Sequence, residues 1–530
     1  MWDPFENPMV VRYIRTKLQR DSPVPGIVMM QVACLLILVI GGMFVRAEKG
    51  QAAYAPLFYL LLCLVAAVLV LFGAGRVSLA VLSDRSTGVL ESYRLTPTPA
   101  RGYLAGYLLG APVRETLAAV SAVPYIAYAG ARGGIRLSDG LICAGLLIVT
   151  SILFSLGGVV AGLSVPGIRL PQARGQGVAA GGLAILFLVL PACGAILDMT
   201  SSGKSPFDAV LPFYGIDAPV PALILLLEGF LGSFAGIAGC RKLARDDAPP
   251  LSKRQTAAFY LLLHLLMLGF AWDWLSGTPG AAGFRRMTGA PSEAVGAAWI
   301  VLALAALFVG NWSVSLSVPS RLAWLRERQR IAKGISRGSP AAEGAGHLLW
   351  GLSFGAVTAA AYAAVLALRT RAVMSLPAEL VSHVLAALLP ASVLLAFGAS
   401  LEYFFLRLRS KSAIAFQSMI VALHWVVPVA LGLGLALGAR QVVPACWISA
   451  LSPLGSGLWT GHLLFEGFRK PEIPDPRGLV ALGIAVNLAL TIVFHRLLAG
   501  VRRRLAAEVL NRAADPASGG TPGARPAKTD

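Results

Sequence analysis

Three ionisable side chains stand where the surrounding sequence is almost entirely apolar: Arg114 and Glu115, adjacent in one stretch, and Glu228 in another. A charge buried in hydrocarbon is costly, so such residues are default candidates for substrate contact or proton relay. The plainer alternatives are pairing across helices, bonding to backbone, or facing a water-filled cavity. The six histidines (His264, His347, His383, His424, His462, His495) show no metal-ligand spacing and read as packed against neighbours. The six cysteines (Cys34, Cys63, Cys143, Cys193, Cys240, Cys446) form no CxxC pair and lie mostly in apolar stretches, as small hydrophobes. Gly203-Lys204-Ser205 has the end of a phosphate-binding loop, but Asp198 stands where its first glycine belongs. No catalytic constellation emerges. The chain is expected to bind no metal or cofactor and to hydrolyse no nucleotide itself.

The elements that must position these residues are long apolar runs. The 530 residues are 56% hydrophobic and 13% charged, with a mean hydropathy of +0.72. The run from Ala55 to Ala74 contains no charge at all. About 20 apolar residues suffice to cross a bilayer as a helix. Twelve such runs are expected as spans, at 26–45, 55–74, 106–129, 141–163, 177–196 and 220–239, then 256–274, 294–312, 347–368, 379–401, 414–437 and 478–498. They are too long and continuous for the alternating pattern of an outer-membrane barrel. The expected fold is therefore an all-α polytopic membrane protein of about twelve transmembrane helices.

The net charge of +19 is distributed as topology signals rather than as a nucleic-acid surface. With both termini cytoplasmic, about 31 of the 45 Lys and Arg fall in or beside cytoplasmic segments, about 13 lie outside, and Arg114 stands within a span. Dense basic groups occur at Arg12 to Arg20, Arg241 to Arg254, Arg321 to Lys333 and Arg502 to Arg504, and face anionic lipid in this reading. The first apolar run follows about 25 mostly polar residues and is long enough to remain as a span, so no cleavable signal peptide is expected.

The N-terminus reads as an interfacial helix. Asn7 can cap a helix opening at Pro8, with Val10, Ile14 and Leu18 on one face and the basic Arg12, Arg15, Lys17 and Arg20 around it. An ordinary charged leader that sets orientation explains the same residues. An internal repeat also emerges. At an offset of 237 residues, Val77-Ser78-Leu79-Ala80-Val81-Leu82-Ser83 meets Val314-Ser315-Leu316-Ser317-Val318-Pro319-Ser320, with five of seven positions identical. Six spans per unit is an even number, so the two units would run parallel. Residues 1–250 are read as the first six-span unit, 251–500 as the second, and 501–530 as a basic helix end with a disordered tail.

The loop after the second span holds the most specific motif. It runs Ser83-Asp84-Arg85-Ser86-Thr87-Gly88-Val89-Leu90-Glu91-Ser92-Tyr93-Arg94-Leu95-Thr96-Pro97, then through Arg101 to Gly102-Tyr103-Leu104-Ala105-Gly106. It resembles the membrane subunits of type-2 ABC transporters, in which an acidic-basic turn, Thr-Gly, Leu-Glu and Thr-Pro lead into a Gly-rich third span. Glu6-Asn7-Pro8 and its basic helix resemble that family's N-terminal interfacial helix. The resemblance implies a short cytoplasmic coupling helix docking on a separate ABC ATPase subunit, which would use the ATP. Glu91 with Arg85 or Arg94 would supply polar contacts, and Leu90 and Tyr93 apolar ones. It also implies that the outer segment around Ser205-Pro206 and Pro212 dips back toward the membrane, with Ser452-Pro453 as its counterpart. The second half departs from the pattern: Arg321 to Arg337 is more basic and lacks Gly-Val-Leu-Glu and Thr-Pro, so the resemblance extends no ATPase contact to it.

The expected function is the permease subunit of a bacterial ABC exporter in the cytoplasmic (inner) membrane. Its expected partners are the ATPase subunit, the lipid bilayer and a transported substrate whose identity the sequence leaves open. Two readings stay open beside it. Asp84-Arg85 after the second span also resembles the major facilitator loop Gly-x-x-x-Asp-Arg-x-Gly-Arg, although Ala80, Thr87 and Gly88 replace its glycines and final arginine. A membrane scaffold without transport activity is the other.

Overall fold

The apolar runs among the described residues fold as helices, whose backbone groups are all satisfied within one segment and therefore need no partner from lipid. The computed structural model describes residues 7–20, 22–48, 54–95, 98–164, 210–245, 248–276, 318, 321–335, 356–358, 360, 376–408, 410–437, 440–464 and 474–514. Among them, seven helices are long and apolar enough to cross a membrane: Val24–Met43, Tyr54–Ser86, Leu137–Leu163, Val220–Ala244, Val381–Arg407, Phe416–Leu437 and Pro476–Val509. Counting one bent pair, Val442–Ala450 with Pro453–Thr460, as a single span gives eight. The protein is a helical, multi-pass membrane protein. Of the expected spans, 177–196 and 294–312 lie outside the described residues, as does nearly all of 347–368.

The chain divides into two compact units, Met1–Leu211 with Ile216–Asp246, and Pro212–Gly215 with Asp247–Asp530. In the first, the N-terminal helix α1 (Pro8–Arg20) precedes α2 (Val24–Glu48) and the long α3 (Tyr54–Ser86). A π-helical stretch, Ala67–Gly73, interrupts the α-helical ladder in the middle of α3. After it come the short α4 (Val89–Arg94) and α5 (Ala100–Ala105), the latter extended by a π turn at Gly106–Gly110. Next are α6 (Val113–Ser121), α7 (Val123–Arg132), α8 (Leu137–Ser164) and α9 (Val220–Ala244).

The expected third span, 106–129, is helical but not continuous. Pro112, which has no N–H to donate, separates the π turn from α6, and a second break falls at Ala122. The pieces still run alongside α3: the π turn by its last turns, α6 by the π stretch, α7 by the first turns. Small residues allow the closest packing. A Cβ on Gly158 of α8 would lie 2.6 Å from the Ala74 carbonyl oxygen, and one on Gly162 3.0 Å from that of Ser78, so α8 meets α3 backbone to backbone.

An expectation of helix alone misses a two-stranded hairpin, β1 (Val210–Phe213) and β2 (Ile216–Pro219). Its two turn residues, Tyr214 and Gly215, both have positive φ, 52° and 79°, the combination that matches the twist of a tight hairpin. Pro212 therefore lies in a strand, while Ser205-Pro206 falls outside the described residues.

The second unit contains α10 (Lys253–Ser276), α11 (Arg321–Ala332), α12 (Leu376–Arg407), α13 (Ser410–Val421), α14 (Val427–Leu437), α15 (Val442–Ala450), α16 (Pro453–Leu464) and α17 (Pro476–Ala514). A π turn at Ala422–Val426 joins α13 to α14. Helices α15 and α16 are bent by 115° at Leu451-Ser452. Ser452 makes that bend: its Oγ accepts the Leu454 N–H at 3.1 Å, capping a helix that opens at Pro453, and donates to the Trp425 carbonyl at 2.6 Å. The core of this unit gathers Tyr403 and Phe404 of α12 with Phe494 and Leu498 of α17, and seats Trp324 of α11 against them.

A candidate coupling interface

The loop after α3 forms the short helix the motif implies, and its chemistry is mostly turned inward. Thr87 Oγ1 donates to the Ser83 carbonyl at 2.9 Å and so finishes α3. Gly88 then takes φ +75°, a left-handed conformation that glycine adopts at little cost, and the chain turns into α4. Arg85 donates to the Leu163 carbonyl at 2.9 Å, at the end of α8. Arg94 donates to the Leu243 and Lys242 carbonyls at 3.0 and 3.1 Å, at the end of α9. Both ends of the loop are thus pinned by guanidiniums satisfying terminal helix carbonyls, a favourable placement for a cation at a helix C-terminus.

Asp84 is buried and accepts hydrogen bonds from Tyr13 of α1 and, at 2.9 Å, from Tyr107 in the π turn after α5. Burial, and after it the Asp84 carboxylate, push the Tyr13 phenol well up, so it stays a proton donor to Asp84 at physiological pH. Above this clasp, the Tyr93 and Tyr103 rings stack at 5.1 Å, and Tyr103 donates to the Tyr93 carbonyl at 2.9 Å. Arg12 lies 5.6 Å from the Tyr93 ring centre, which joins α1 to α4.

Helix α1 is locked to α5 and the π turn that follows it. Asn7 Oδ1 accepts the Met9 N–H at 2.9 Å, the expected cap, while its Nδ2 donates to the Gly102 carbonyl at 2.8 Å. Cβ atoms on Gly106 and Gly110 would lie 2.5 Å from Met9 Cβ and 2.6 Å from Tyr13 Cβ, so only glycine admits the helix this closely. Of the face read from Val10, Ile14 and Leu18, Val10 is buried by this docking, Ile14 is half-buried and Leu18 is 36% exposed. Met9 and Tyr13 are buried with Val10, because the glycine stripe receives the side of the helix carrying Tyr13. Arg12 and Arg15 are exposed; the side chains of Lys17 and Arg20 fall outside the described residues, as do Thr96 and Pro97.

Two of the apolar contacts expected for a partner are used internally. Leu90 is 2% exposed and belongs to the unit's own core, and Tyr93 packs against that core. A helix of six residues lying over the core must bury one face, and Leu90 is on it. The free face carries Glu91, whose carboxylate pairs with Arg94 at 2.6 Å, together with Ser92 and Leu95. Leu95 is 88% exposed and was not among the residues the motif singled out. Tyr13, Tyr103 and Tyr107 were also missed, although two tyrosines four apart in a Gly-rich stretch lie on one helix face and signal a packing surface.

The intramembrane candidates have separate partners. Glu115 pairs at 3.0 Å with Arg76 of α3, a cation the sequence reading passed over. Glu228 of α9 accepts the Thr150 hydroxyl of α8 at 2.5 Å, and its other oxygen is buried with no hydrogen-bond partner among the described residues. Arg114 is half-buried beside Glu115 in the first turn of α6. The Arg76–Glu115 and Thr150–Glu228 contacts each join two helices and share no residue. In comparisons with known proteins, no family model matches this sequence, and neither a curated protein nor a solved structure matches it.

Proposed function

We propose that this chain is the membrane permease of an ATP-driven ABC transporter, of exporter type, with hydrolysis supplied by a separate subunit. The observation that carries the reading is α4: a short helix held by Arg85 and Arg94 across the ends of α8 and α9, presenting Glu91, Ser92 and Leu95 outward. A helix held in this way can pass a rigid-body push from a docked subunit to two spans at once. The second unit supports a fused pair of six-span units, twelve spans in all. Its α11 lies against α12, which stands at the 237-residue offset from α8, and against α17, which like α9 is the last long helix of its unit but arrives later than the offset. The bent pair α15–α16, turning at Ser452-Pro453, supports a re-entrant segment before the last span. In this reading the protein sits in a bacterial inner membrane with both termini cytoplasmic.

The test is co-purification of a nucleotide-hydrolysing subunit with the tagged full chain from native membranes. Leu95→Asp is expected to abolish capture, with the permease still monodisperse, because Leu95 touches little of its own unit. Leu90→Asp is expected to lose the fold instead. Transport that continues without any ATPase and collapses with the proton gradient would replace this proposal with a secondary transporter.

A further inference from the structure

Between the ends of α12 and α17, beside α11, lies a cavity of about 450 Å³. That falls within the range of roughly 300–1,000 Å³ typical of small-ligand sites. Four guanidiniums line it, those of Arg321, Arg407, Arg496 and Arg504, against one carboxylate, Glu508. Glu508 pairs with Arg321 at 3.4 Å, and Arg407 donates to its neighbour Tyr403. Arg496 and Arg504 are both exposed and stand eight residues apart, on one face of α17. Between them is Gly500, where an added Cβ would meet no atom within 4 Å. The arginines therefore flank an open space rather than a packed helix face.

The remaining wall is apolar, with Leu406, Leu497, Val501 and Leu505. Leu497 is itself exposed and continues a stripe of exposed Leu488, Ile492 and Val493 along α17. A soluble anion has no use for such a wall, whereas a phosphate carrying acyl chains does. The cavity sits where the apolar run 478–498 gives way to Arg502–Arg504, the depth at which headgroups lie.

We infer that this cavity binds the phosphate headgroup of an anionic phospholipid, with an acyl chain laid along the exposed stripe of α17. The site is independent of whether an ATPase docks on the first unit. The test is native mass spectrometry of the full chain released from nanodiscs of equal phosphatidylglycerol and phosphatidylcholine. Retention of phosphatidylglycerol is expected to exceed that of phosphatidylcholine roughly tenfold, since each interfacial cation adds to the attraction. The preference is expected to fall to parity in the R496Q/R504Q double variant and to survive in R496K/R504K. Gly500→Phe fills the cavity without touching a charge, and is expected to abolish the preference as well. Equal retention of both lipids by the wild type, or a preference unchanged in the double Gln variant and in Gly500→Phe, overturns the site. Displacement of the bound lipid by millimolar inorganic phosphate also overturns it, by identifying a soluble anion as the occupant.

Discussion

Glu402 has no exposed surface and accepts a hydrogen bond from Arg502, while Lys253, 2% exposed, brings a second cation into the same buried environment. Removing one partner of a buried ion pair leaves an uncompensated charge behind, at a cost of about 3–5 kcal/mol when both groups are fully buried and toward the lower end here, where Arg502 is 25% exposed. Glu402→Gln is therefore expected to destabilise the detergent-purified protein by that amount in thermal or denaturant unfolding. Glu91→Gln, which breaks an ion pair whose carboxylate is 68% exposed, is expected to cost under about 1 kcal/mol. Equal effects from the two substitutions would refute the distinction. Neither the burial of Glu402 nor that of Asp84 was legible in the sequence. Glu402 stands near the end of an apolar run, where a charge reads as a boundary marker, and Asp84 stands in a polar loop, where a carboxylate reads as solvent-facing. What inverts both is a partner 71 to 100 residues away along the chain: Tyr13 for Asp84 and Arg502 for Glu402.

At the scale of elements, α1 depends on glycine at two positions of its docking site. Gly106→Leu is expected to push Met9 away and release the helix, since overpacking at such contacts costs about 1–3 kcal/mol. Limited trypsinolysis should then cut faster at Arg12 and Arg15 than in the wild type. Gly236→Leu, at a position where a Cβ meets nothing within 4 Å, serves as the control and should leave the rate unchanged. Unchanged cleavage in Gly106→Leu would show that α1 is held by other contacts. The helix itself and its Asn7 cap were readable, because capping chemistry acts over a few residues, whereas the short helix after Gly88 was expected only from the family resemblance. That Met9 and Tyr13 join Val10 on the buried face of α1 was not readable, because that face is chosen by the surface that receives it. The hairpin at 210–219 lay hidden for a related reason: its two-residue turn of Tyr214 and Gly215 lacks the usual Asn-Gly or Asp-Gly signature.

For the whole molecule, run length and hydropathy carried the architecture, since a bilayer accepts few other solutions for segments of this length. The proposed parallel units make a strict geometric demand. Leu95 in the first unit and Ile335 in the second, 88% and 71% exposed, would be separated by six spans and must face the same side. In a background lacking the six native cysteines, Leu95→Cys and Ile335→Cys should both be shielded from an impermeant maleimide in intact cells. Both should react in inverted vesicles, and Leu137→Cys, 79% exposed beyond the third span, should show the opposite pattern. Labelling of 95 and 335 from opposite sides would rule out the parallel arrangement.

The π stretch in the middle of α3 gives this helix two phases. Such a bulge carries one residue more than the regular turn accommodates, and each residue advances a helix by about 100°. The stripe that packs from Tyr54 to Ala66 is therefore out of step with the one that carries Asp84 into its tyrosine clasp. In genetic terms the helix resembles a message read in two frames joined by an insertion. Loss of a single residue within Ala67–Gly73 would swivel the whole lower half, clasp and coupling helix together, against the upper.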